Sequence, residues 1–185
     1  MSCPAVCVHP AEDVWNPGSC RFFFLIGTKK YQDIFSHRSG ATFIGRPVSV
    51  QKETVERGME NAKTLIGQFD IENSHVGLEG YAYGAKGSRV FDIGEHTGIL
   101  KSLLLEGTEN LVLETIPPSM AKKHATTKGN ANKEAMVDSM IKHSGIDLYE
   151  VFETEILKAP VNDIADAYWM CNHIWYKYFS KAITK

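Results

Sequence analysis

Apolar and polar positions alternate in two different periods along this chain of 185 residues. The run "AVCV" (5–8) is a short strand candidate, followed by the turn-rich stretch "HPAEDVWNPGS". "CRFFFLIG" (20–27) is rich in aromatic and β-branched residues and reads as a second strand. "YQDIFSH" (31–37) reads as a third, after the polar turn "TKK". Short connections between these three predict an antiparallel meander.

The period then lengthens. In "VQKETVERGMENAKTLIGQF" (50–69), Val55, Met59, Ala62, Leu65 and Ile66 recur at helical spacing, with charges on the opposite face. "HVGLEGYAYG" (75–84) returns to strand, "FDIGEHTGILKSLLLEG" (91–107) to helix, and "LVLETI" (111–116) to a buried strand closed by two prolines. "NKEAMVDSMIKHSG" (132–145) is a helix ended by glycine, and a last helix runs from 163 to about 180. No internal repeat and no long linker interrupts this order. The pattern predicts one α/β domain over residues 1–185, with a mixed five-stranded sheet flanked by helices.

Composition narrows the class. A hydrophobic content of 43% supports a real core, and a net charge of −2 gives no global basic field. A local basic patch can still bind nucleic acid. No segment is apolar enough to span a bilayer and no export signal opens the chain, so the expectation is a soluble, cytoplasmic protein with no membrane partner. Four cysteines then default to free thiols. Cys3, Cys7, His9 and Cys20 lie close enough in sequence to suggest zinc, but their spacing lacks the usual two close pairs.

Three acids stand out. Glu79 falls inside an apolar strand, where a carboxylate is costly to bury unless it is paired or bound to metal. At a strand end it would simply meet solvent. Asp163 and Asp166 sit three apart at the start of the last helix and so share one side. They could serve the helix dipole and N-cap, or act with Glu79 as oxygen ligands for hard divalent cations.

The stretch "VGLEGYAYGAKGSRVFDIGEHTGILK" resembles the central strand and following helix of RuvC-type Holliday junction resolvases, particularly those of bacteriophages. "ETIPPSMAKKHATTKGNANKEAM" is similar to the family's strand leading into a lysine-rich segment, and "DIADAYWM" resembles its closing "DxxDA" motif. The resemblance covers residues 75–175 and implies a ribonuclease-H-like fold. It further implies that Glu79, Asp163 and Asp166 are catalytic ligands for two Mg²⁺ or Mn²⁺ ions. Such ions sit about 3.5–4 Å apart and serve an in-line phosphodiester hydrolysis. The family opens with "G-x-D-P-[GS]", whose aspartate is the first ligand. The best match read here is "CVHPA", with His9 at the aspartate position. Imidazole favours softer metals than Mg²⁺. His9 could bind Mn²⁺, Glu12 or Asp13 could supply the carboxylate instead, or the site has lost its cutting activity.

Other features bear on DNA. "MAKKHATTKGNANK" (120–133) carries Lys122, Lys123, Lys128 and Lys133 with no acid, and the resemblance places it where phosphates pass, with Lys133 nearest the active centre. Gly129 would let backbone approach a phosphate. The glycine-rich stretch 80–89 offers Tyr83, Lys86 and Arg89 for stacking and backbone contact, or is a flexible connection packed by its tyrosines. The resemblance also implies a homodimer through the helix at 91–107, in which Gly94 and Gly98 lie four apart. The expected activity is resolution of four-way junctions or other branched DNA, in host cytoplasm if the source is a phage. The alternative is a RuvC-like protein that binds DNA or a partner without cutting.

Overall fold

A computed structural model describes residues 4–32, 35–80 and 89–181. In chain order the elements are β1 (Ala5–Val8), β2 (Arg21–Ile26), β3 (Phe35–Arg38), β4 (Ala41–Pro47), α1 (Thr54–Ile66), β5 (His75–Glu79), α2 (Arg89–Glu106), β6 (Val112–Ile116), α3 (Pro118–Thr126), α4 (Lys133–Ser144), α5 (Leu148–Val151) and α6 (Val161–Tyr178). They divide into two compact units: Met1–Pro47 with Pro118–Lys185, and Val48–Pro117.

The first unit is a four-stranded sheet, ordered β1-β2-β4-β3, covered by helices. β1 is antiparallel to β2, pairing Ala5 with Phe24 and Val8 with Arg21. β2 and β4 are parallel, with Phe22 opposite Phe43, and β3 closes the edge antiparallel to β4. The strand β2 is central and buried on both faces, which is why "FFFLI" is a continuous apolar run rather than an alternating one. On one face Phe22, Phe24 and Ile26 join Phe43, Met136, Met140, Phe152, Ile164 and Tyr168 in the core. The Phe22 and Phe43 rings stack at 4.8 Å. Each such side chain, fully buried, contributes roughly 1.5–3 kcal/mol.

Two expectations about the sheet do not hold. The meander is replaced by a parallel β2–β4 pair with β3 outside it, and the single five-stranded sheet is replaced by this sheet and a separate two-stranded one. The segment "ATFIGRP" lies between the predicted third strand and the first helix and carries no strand prediction. In the fold those residues complete β4, and Gly45 lies under the Tyr31 carbonyl, where any Cβ would collide with it. Tyr31 itself sits in a 3₁₀ turn (Lys29–Tyr31) instead of starting a strand. Ser39 and Gly40, both at positive φ (51° and 87°), make the β3–β4 turn.

The helices follow their local signals. Asn132 caps α4 by accepting the Ala135 N–H at 2.9 Å, and Gly145 ends that helix at φ 70°. Pro118 occupies the first turn of α3, where a missing N–H costs nothing, so the double proline ends one strand and starts a helix. α3, α4 and β1 all pack on α6.

In the second unit, β5 and β6 pair in parallel, Glu79 opposite Ile116. α1 packs on α2, with Gly58 beneath His96 and Ile99. β6 is less buried than its sequence implied: only Ile116 is fully covered and Val112 is 38% exposed. No helix among the described residues is long and apolar enough to cross a membrane.

Candidate metal centre

The first two turns of α6 carry the acid pair. Val161, Ile164, Ala165 and Tyr168 of that helix are fully buried, which fixes its rotation on the sheet. Asp163 and Asp166 fall beside that buried stripe and are half-buried. The buried Asn162 donates its Nδ2 to Asp163 Oδ1 at 3.0 Å. Burial pushes the Asp166 carboxyl up, and the charges of Lys133 and Lys122 pull it back. These lysines come from the first residue of α4 and the middle of α3, so three helices contribute to one mixed-charge site. Lys123 and Lys128 are exposed in the same segment. Gly129 approaches the Ser119 carbonyl, bringing the loop back onto the start of α3.

Glu79 is the last residue of β5, exposed, in the second unit. The next N–H, of Gly80, donates to the Ile116 carbonyl at 2.8 Å, so the ladder continues one bond past it. Its place is thus the carboxyl end of a parallel strand pair, where ligands of α/β sheets bind. Tyr83 and Lys86 lie outside the described residues, as does the Arg89 side chain at the start of α2.

His9 follows β1. Its Nε2 accepts the Asn16 N–H at 3.1 Å, which leaves the proton on Nδ1 to donate to the Pro10 carbonyl at 2.7 Å. The ring stacks on Trp15 at 4.5 Å and lies 6.3 Å from Trp175 in α6. Burial lowers its pKa, outweighing the pull of Pro10, Asp13 and Asn16. Both ring nitrogens are thus engaged inside the turn. Trp175 is nine residues beyond Asp166 in α6, or about 13 Å along the axis at about 1.5 Å per residue. Its indole N–H donates to the Asp13 carbonyl at 3.1 Å, holding the long turn on that half of the helix. Glu12 and Asp13 are exposed there. The structure therefore brings Asp166 together with Lys122 and Lys133, with Asp163 one turn earlier on the same helix, and packs His9 and the Asp13 carbonyl against Trp175.

Among the described residues, no group of three His, Cys, Asp or Glu side chains is arranged to hold a metal ion. The donors that do converge, two half-buried carboxylates on one helical side, are hard oxygens suited to Mg²⁺ or Mn²⁺ as part of a ligand set. Of the zinc candidates, Cys3 lies outside the described residues, His9 is committed, and Cys7 meets Cys20 and Cys171 instead.

Asn16 closes the same turn: its Oδ1 accepts the Gly18 N–H at 2.9 Å and its own N–H meets His9.

No protein-family model and no curated sequence matches the chain. Among solved structures, it is similar to that of RuvC from Thermus thermophilus, with a TM-score of 0.50, 14% identity and 95% of each chain covered. At that identity the likeness establishes the fold alone: α/β and RuvC-like.

Proposed function

We propose that this protein is a metal-dependent, structure-selective endodeoxyribonuclease that resolves Holliday junctions or related branched DNA. The observation that carries this reading is the half-buried Asp163–Asp166 pair on the first turns of α6, flanked by Lys122 and Lys133 on a RuvC-like fold. Burial without full neutralisation suits these carboxylates to a cation, and lysines beside them suit a phosphate. Asp163, Asp166 and Glu79 would hold the Mg²⁺ or Mn²⁺. When bound, the ions neutralise charge on the scissile phosphate and make water a nucleophile at neutral pH. Lys133 and Lys122 position the phosphate and offset part of the burial that pushes the Asp166 carboxyl up. Lys123, Lys128, Lys86 and Arg89 follow the backbone, and Tyr83 stacks on an unpaired base. Residues 1–185 act as one nuclease and pair as a homodimer, a reading supported by exposed Phe91 (77%) and Ile93 (49%) on α2.

The test is cleavage of a labelled four-way junction beside linear duplex, in Mg²⁺ and in Mn²⁺, by the wild type and Asp163→Asn. Paired nicks across the junction, lost in the variant, are expected. A second reading, a RuvC-like protein that binds branched DNA without cutting, is favoured by the commitment of both His9 nitrogens within the turn. Tight junction binding with no cleavage in either metal would establish that reading in place of the first.

A further inference from the structure

Three thiols from three elements meet in the first unit. The Cys7 thiol of β1 lies beside Cys171 of α6 and Cys20, the residue before β2. The sheet register together with the packing of α6 on β1 accounts for this contact. Cys7 pairs with Phe22, so it shares a face with Phe22 and with Cys20 two residues earlier. That face receives Tyr168, whose ring lies 6.4 Å from Phe22, and Cys171 follows Tyr168 by one helical turn. Cys20 is only 1% exposed, whereas Cys7 and Cys171 are half-buried and free.

We propose that Cys7 and Cys171 form a thiol-oxidation site, converted by a small disulfide oxidant into a covalent tie between β1 and α6. The Cys171 thiolate attacks the oxidant's disulfide, forming a mixed disulfide and releasing one thiolate. Cys7 then loses its proton and attacks the Cys171 sulfur, which releases the second. Two thiol protons leave, the pair is oxidised by two electrons and the oxidant is reduced by two. Closing the bond needs the sulfurs to move from contact to about 2.05 Å. β1 can yield that distance, since it has four residues and pairs with β2 alone. The groups facing Cys7 are Cys171, Cys20 and Tyr168. Burial first, then the two thiols, pushes the Cys7 thiol up, so the second step quickens as pH rises above neutral.

The inference stands apart from the nuclease reading, and its test uses no DNA. The reduced, folded full chain is incubated with oxidised glutathione, blocked with a thiol alkylator and mapped as peptides without reduction. A Cys7–Cys171 peptide pair lighter by two hydrogens is expected in a monomeric chain. The oxidised protein should melt several degrees higher than the reduced one, a gain absent from Cys171→Ser. Recovery of both residues alkylated, or as separate glutathione adducts, or linked instead to Cys3 or Cys20, would overturn the proposal. Because the wild type alone gives the peptide map, a poorly folding variant does not cloud the answer.

Discussion

The two halves of α6 are built from opposite chemistry. Its first half holds Asp163 and Asp166 beside Lys122 and Lys133, a site where charges are kept partly wet. Its second half holds Cys171 and Trp175 under β1 and the long turn, where His9, Trp15 and Trp175 stack around hydrogen bonds that are all internal. One half sets half-buried carboxylates beside lysines, the other engages both His9 nitrogens and the Trp175 indole in the turn. A carboxylate that burial pushes up is suited to a cation, whereas the His9 imidazole engages both of its nitrogens within the turn.

The largest expected effect tests that contrast directly. In the junction assay, Asp166→Asn should cut cleavage by roughly 100-fold or more, since even a hydrogen-bonding neighbour of a metal ligand is worth about 10–100-fold. His9→Ala should leave the rate within a few-fold. Equal losses in both variants would make His9 a ligand and erase the distinction between the halves. On stability the order reverses. Trp175→Ala opens the aromatic stack and removes the hydrogen bond to the Asp13 carbonyl, and should cost about 3–5 kcal/mol in denaturant unfolding. Asp166→Asn should cost little or even stabilise, because it removes a carboxylate that burial disfavours.

A smaller effect belongs to the lysines. Lys122→Ala or Lys133→Ala should weaken binding to junction and duplex alike and lower the salt slope by about 1 each, read from binding isotherms across a salt series. The smallest is a pH effect. Burial lowers the pKa of His9 and, with His124 nearby, of His143, so the unfolded chain binds more protons than the native one in acid. Stability from these groups is present above the unfolded histidine value, about 6.5, and is lost as pH falls below it. Urea unfolding at pH 7 and pH 5 should show the drop, and His9→Phe should reduce it. Asn16, whose N–H His9 accepts, is exposed and can turn to water in that variant.

Much of the fold was legible wherever a local rule decided it. Asn132 and Gly145 bound α4 in the sequence as they do in space, and β2 announced itself by an apolar run too long for a half-exposed strand. What failed was non-local. Nothing near "ATFIGRP" says that it will lie parallel to β2, because that pairing is set by the sheet and not by the segment. The double proline read as a stop concealed the start of α3. The candidate site divides the same way. Asp163 and Asp166 were visible from their spacing, and Lys122 and Lys133 from their charge. The fate of His9 depended on Trp15 and Trp175, the second far along the chain. Cys171 joined Cys7 and Cys20 through the packing of α6 on β1, which no short spacing encodes.

Gly45 carries a consequence for anyone randomising this protein. With the Tyr31 carbonyl and the Phe24 ring already filling the space a Cβ would need, no alternative residue at that codon can be rescued by a single change elsewhere. A saturation library scored for soluble, folded chains should return glycine at position 45.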